Sequence, residues 1–149
     1  MAAAYYGAAR VGLLVVSVGE PLSSLWLPAG IALVALLVVG LRTWPGIALG
    51  AFFVNASQDP LPVAGAITVG DTLAPVCAFL LLRLTHFRLA MDRLRDALLL
   101  VFLGSFTAML VSATFGTVAA VVAGRIPADA FWRTWGIWWT SDALGVLVV

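Results

Sequence analysis

Charge is scarce in this sequence: 10% of its 149 residues are Asp, Glu, Lys or Arg, against roughly 25% in an ordinary soluble domain. Lysine is absent, and the formal net charge is only +1. A soluble domain needs more polar side chains than this to cover its surface, and a nucleic-acid binder needs cations clustered on one exposed face. The shortage of charge therefore excludes a cytosolic enzyme, a nucleic-acid-binding protein and a disordered tail.

Cysteine is almost absent as well, because Cys77 is the only one in the chain. A single cysteine excludes an internal disulfide and a cysteine-based metal site. The sequence also lacks a zinc motif, a phosphate-binding loop and a Ser/His/Asp or Cys/His set. We therefore predict no metal and no cofactor.

Apolar residues dominate instead, with 63% hydrophobic residues and a mean hydropathy of +1.11. Since about 20 apolar residues cross the ~30 Å hydrocarbon core as a helix, the sequence predicts one domain over residues 1–149, an all-α, polytopic transmembrane helix bundle of about six spans. Because the sixth apolar segment has no polar flank, we expect the N-terminal part of a longer bundle. The predicted spans are residues 2–18, 21–41, 44–55, 63–82, 97–124 and 131–149, of which the third is short enough to be tilted, re-entrant or partly inserted.

The arginines predict the orientation of the bundle in the membrane. Five of them lie at Arg42 and between Arg83 and Arg95, and two lie at Arg125 and Arg133 on the opposite side of a six-span bundle. Positive residues collect on the cytoplasmic side. We therefore expect the N-terminus inside the cell, with the loops that contain Glu20, Asp59 and Arg125 outside.

Three charges fall inside predicted spans, namely Arg10, Asp71 and Asp142. A carboxylate at mid-membrane costs about 2.5 kcal/mol or more, so each acid should face the bundle interior and is a candidate functional group. The alternatives are structural: one acid pairs with Arg10, which can neutralise only one of the two, or an acid is kept protonated by a Ser or Thr neighbour. Trp139, three residues before Asp142, is a candidate to line the same polar site.

Two patterns concern helix shape and packing. Pro28, followed by Gly30, interrupts the second span and predicts a kink there, with ordinary packing favoured over a ligand-exposed break. Small residues recur at every fourth position of the fifth span, which is typical of close helix contact in lipid. We favour contact within the chain, and a homodimer face is the alternative. The row is Gly104, Ala108, Ser112, Gly116, Ala120 and Gly124.

Several motifs occur in a defined order along the chain: LWLPAGIAL from Leu25, GLRTWPGI from Gly40, Gly50-Ala51-Phe52 with Asn55, GDTL from Gly70, and WGIWWTSDALG from Trp135. Together they resemble the MASE1 family, an integral-membrane sensory domain of bacterial signalling proteins. The resemblance covers nearly the whole chain and adds Trp26 and Asn55 to the candidate polar site. This sequence departs from the family pattern in length, because the family domain usually continues with further spans.

The resemblance implies a multi-pass domain in the bacterial plasma membrane, with no catalysis of its own. It also implies a cytoplasmic output module or partner signalling protein, such as a histidine kinase, a diguanylate cyclase, a phosphodiesterase or a PAS module. Two other functions stay open: a fragment of a small-solute transporter, since kinked spans and buried acids also mark substrate paths, and a structural anchor. The anchor does not explain the buried carboxylates.

Overall fold

A computed structural model describes residues 1–17 and 25–149, with side chains for residues 1–10 and 25–149. The described residues form helices joined by short turns, which confirms the all-α prediction. Glu20 and Pro21, predicted to end the first span, lie outside the described residues. The helices are α1 (Ala2–Ser17), α2 (Leu27–Val39), α3 (Trp44–Ala56), α4 (Leu61–Leu84), α5 (Leu94–Val122) and α6 (Phe131–Val148).

Two helices of the described chain, α4 and α5, are long and apolar enough to cross a bilayer. They match the fourth and fifth predicted spans within a few residues. By contrast, α2 and α3 have 13 residues each, about 20 Å at 1.5 Å per residue, which is shorter than the ~30 Å hydrocarbon core. The total of six spans therefore stays a prediction.

Helix α2 begins inside the bundle and not at its end. The backbone N–H of Trp26 donates to the carbonyl oxygen of Ser141 at 3.2 Å, and Ser141 lies ten residues, about 15 Å, into α6. Pro28 occupies the first turn of α2, where a missing N–H breaks no helical hydrogen bond. The predicted kink at Pro28 within a continuous helix is therefore wrong, because the helix starts at Leu27.

Gly30 has a packing role instead. A Cβ atom added to Gly30 would overlap the carbonyl oxygen of Gly145, and one added to Gly145 would overlap the carbonyl of Trp26. The backbones of α2 and α6 thus touch directly, the kind of contact that small residues permit between membrane helices. This contact ties the start of α2 to α6.

A π-helical segment, Leu100–Thr107, interrupts α5. The wider turn leaves backbone carbonyls free for other donors, and the indole N–H of Trp139 donates to the carbonyl oxygen of Phe106 at 2.8 Å. In return, the hydroxyl of Ser105 donates to the carbonyl oxygen of Ala143 at 2.9 Å. These two bonds tie the π segment to α6.

The small-residue row of α5 packs within the chain over its first four members, Gly104, Ala108, Ser112 and Gly116, which are all buried. A Cβ atom on Gly116 would lie 2.5 Å from the ring of Trp138 in α6. Ala120 is half-buried. Gly124 does not belong to the row, because α5 ends at Val122 and Gly124 is an exposed residue with a φ of +68° that caps the helix.

Candidate functional site

The polar centre of the bundle is built around Asp71, which projects from the middle of α4. Asn55, at the end of α3, donates from its side-chain amide to Asp71 Oδ2 at 3.0 Å and to Thr68 Oγ1 at 3.2 Å. Ser112, in α5, donates from its hydroxyl to Asp71 Oδ1 at 3.0 Å. Both carboxylate oxygens of Asp71 are therefore hydrogen-bonded, and the carboxylate joins three helices.

Asp142 is the second buried acid, and its environment differs. It lies eleven residues, about 16 Å, into α6 and is only 2% exposed, yet its Oδ1 atom has no hydrogen-bond partner. A buried polar atom without a partner is costly and is normally avoided. The unsatisfied oxygen distinguishes Asp142 from Asp71. Thr72, Asp96 and Thr117 also have a buried polar atom without a partner, but of these four residues only Asp142 lines the cavity described next.

Beside both acids lies a cavity of about 270 Å³, which we call the central cavity. Trp26, before α2, and Trp138, in α6, contribute indole side chains to its wall, and Ile67 and Ile137 add apolar surface. Its outer part lies near the α3–α4 connection and the first turn of α6. The full lining is Trp26, Asn55, Gln58, Asp59, Ile67, Asp71, Thr134, Ile137, Trp138, Ser141 and Asp142.

An ion pair stands at the mouth of the central cavity. Arg125, which follows α5, lies 3.0 Å from Asp59, in the α3–α4 connection, measured from Nη1 to Oδ1. Both side chains reach solvent, so the pair contributes little to stability. The ion pair links the α3–α4 connection to the α5–α6 connection, and both border the opening of the cavity.

A narrow crevice continues from the acids towards α1. It is lined by Tyr5, which is 1% exposed, together with Ala29, Met109 and both acids. Tyr5 brings α1 into contact with the polar centre, so every helix of the described chain contributes to the site or its immediate surroundings.

Comparison with known protein families decides what kind of domain carries this site. The family model of MASE1 matches residues 1–149, the whole chain. The chain belongs to the MASE1 family. This confirms the resemblance seen in the motifs and identifies the chain as a membrane-associated sensory domain. No curated protein and no solved structure matches it.

Within this MASE1 domain, four of the predicted site residues meet at the central cavity: Asp142, Asp71, Trp26 and Asn55. Arg10 does not join them. It is exposed, and no ion pair among the described residues connects it to either acid. Successive residues of a helix point about 100° apart, so the buried position of Ala9 turns Arg10 outwards. The structural alternative, a pair between Arg10 and an acid, is therefore wrong.

The W-W-x-x-D motif places its two tryptophans on different sides of α6. Trp138 lines the cavity, whereas Trp139 stacks on Trp135 at 6.1 Å between ring centroids and bonds to the π segment of α5. The prediction that Trp139 shares a polar site with Asp142 is not supported by this placement. Sequence reasoning missed Trp138, although Thr134, Trp138 and Asp142 recur every four residues on one face of α6.

Proposed function

We propose that this MASE1 domain is the non-catalytic signal-input module of a bacterial signalling protein of the histidine kinase or diguanylate cyclase type. It sits in the plasma membrane, and the mouth of the central cavity faces the outside of the cell. One observation supports the proposal: in a family of sensory domains, Asp142 lines a cavity and its buried Oδ1 atom has no hydrogen-bond partner.

The cavity lies where a bound molecule can act on helix packing. Trp26 precedes α2, Asp71 belongs to α4 and Asp142 to α6, so a ligand contacts three elements at once. A ligand shifts a protein between two arrangements only by binding one of them more tightly. The direct backbone contact of Gly30 with Gly145 then couples any movement of α6 to α2, and α6 carries the change towards the cytoplasmic end.

The sensory role is tested by Asp142→Asn in a fusion of this chain to a diguanylate cyclase domain that lacks its own sensor. We expect Asp142→Asn to insert and fold but to change cyclic di-GMP output per fusion molecule several-fold, because the substitution alters the balance between the two arrangements. Asp129→Asn, at an exposed position, is the matched control and should leave the output unchanged.

An anchor and a sensor give different results in this assay. An anchor sets only the amount and location of the output domain, so its output follows fusion abundance. If Asp142→Asn and Asp71→Asn, singly and together, leave the output per molecule at the level of the unaltered fusion, the sensory role is rejected.

The orientation of the domain in the membrane is a separate prediction. In a Cys77→Ala background, Arg88→Cys should resist an impermeant thiol reagent added to intact cells, since the arginine-rich connection before α5 belongs to the cytoplasmic side. Asp129→Cys, at the end where the cavity opens, should react. Labelling of position 88 with protection of position 129 would show the reverse orientation.

A transporter fragment is the second candidate, favoured by the start of α2 beside the middle of α6. Helices that begin or break near mid-membrane form substrate sites in many transporters. Solute flux in proteoliposomes separates the two functions, because a sensor binds its ligand without moving it across the bilayer.

A further inference from the structure

The interior of this domain holds carboxylates but no cationic side chain. Every one of the eight arginines is exposed, and so is His86. Asp71 and Asp142 both line the central cavity and the crevice beside it. Buried carboxylates are commonly paired with a positive group, and the described side chains supply none here, so the site can accept a cationic group from outside the chain.

The hydrogen bonds of the site restrict which functional group of a ligand can bind there. Asp71 accepts from Asn55 and Ser112, whereas Asp142 Oδ1 has no donor. A ligand that satisfies this oxygen must carry an N–H or O–H group, and a protonated amine supplies both the donor and the positive charge. A quaternary ammonium would supply only the charge.

The size and lining of the cavity favour an organic ligand. A volume of about 270 Å³ is far larger than a single ion requires, and the described residues contain no group of three His, Cys, Asp or Glu side chains that could hold a metal ion. Trp26, Trp138, Ile67 and Ile137 provide apolar and aromatic wall. Indole rings attract cations over their faces and pack against hydrocarbon.

We propose that the central cavity binds a small primary amine in its protonated form, with the ammonium group on Asp142 and the hydrocarbon part against Trp26 and Trp138. This inference rests on the proposed sensory function, for which it names the class of ligand. The ammonium donates to the Asp142 carboxylate, and the nearby Asp71 carboxylate adds electrostatic attraction.

The test uses phenethylamine, which is protonated at neutral pH, and 2-phenylethanol, a neutral molecule of closely similar size and shape. Binding to the purified full chain in a fixed detergent is measured by isothermal titration calorimetry at constant ionic strength. We expect saturable binding of the amine and at least tenfold weaker binding of the alcohol, because only the amine neutralises the site.

Variants locate the site of binding. Asp142→Asn should weaken amine binding at least tenfold and bring it close to that of the alcohol, whereas Asp129→Asn, at an exposed acid outside the cavity lining, should bind like the unaltered chain. Trp138→Leu should weaken the amine and the alcohol by similar factors, since it removes wall surface that both molecules contact.

Three results would overturn the proposal: equal affinity for amine and alcohol, unchanged amine binding in folded Asp142→Asn, or no saturable binding of the amine. The amine–alcohol comparison uses the unaltered chain, so it stands even where a variant does not fold. Binding is measured without an output domain. Failure of the binding predictions therefore rejects the ligand class alone, while unchanged cyclase output in the Asp142→Asn and Asp71→Asn fusions rejects the sensory role alone.

Discussion

Gly145→Ala is expected to cause loss of most of the folded protein. The added Cβ atom would overlap the carbonyl group of Trp26, and a backbone group cannot move aside as a flexible side chain can. The start of α2 would have to separate from α6, which also strains the hydrogen bond from Trp26 N–H to the Ser141 carbonyl. Overpacking typically costs about 1–3 kcal/mol and sometimes more, and overlap with a backbone carbonyl belongs above that range.

The same helix offers a matched control at Gly136, where a Cβ atom would meet nothing within 4 Å. Gly136→Ala should preserve or slightly raise stability, because alanine is a better helix former than glycine by about 1 kcal/mol. The measurement is the yield of monodisperse protein and the thermal midpoint in detergent. Equal midpoints for the two variants would show that α2 and α6 do not meet as closely as described.

Asp71→Leu is expected to have the second-largest effect on stability. The substitution removes the acceptor shared by Asn55 and Ser112. It leaves the buried Ser112 hydroxyl without its acceptor and the Asn55 amide with Thr68 Oγ1 alone. An unsatisfied buried group costs about 1–3 kcal/mol, so we expect a loss of about 1–3 kcal/mol. Asp129→Leu, at an exposed position, is the control and should change stability by less than about 0.5 kcal/mol.

A double-mutant cycle with Ser112→Ala checks the cause of this loss. Ser112→Ala should destabilise the unaltered chain, because Asp71 Oδ1 loses its donor. In the Asp71→Leu background the same change should cost less or become favourable, since the hydroxyl has already lost its acceptor. Additive losses would show that Ser112 and Asp71 do not interact.

The sequence alone determined the class of the protein and much of its helical framework. Low charge and long apolar runs predicted a lipid environment, and the predicted fourth span, residues 63–82, falls within α4 (Leu61–Leu84). The cost of placing a carboxylate in lipid directed attention to Asp71 and Asp142 before any contact was known. The ordered motifs led to the MASE1 family, which the match over residues 1–149 confirmed.

Only the tertiary structure decided how these residues are used. An uncharged run does not show where a helix begins, because apolar residues are compatible with lipid contact, with a helix and with a packed loop. The start of α2 at Leu27 was therefore visible only in its contact with α6. Helical periodicity gives relative directions but not the direction of the core, which is why Arg10 and Trp139 were misplaced. Asp71 and Asp142 look alike in the sequence. Folding brings Asn55 and Ser112 to Asp71, although Ser112 lies 41 positions away in the sequence. Asp142 Oδ1 is left without a hydrogen-bond partner.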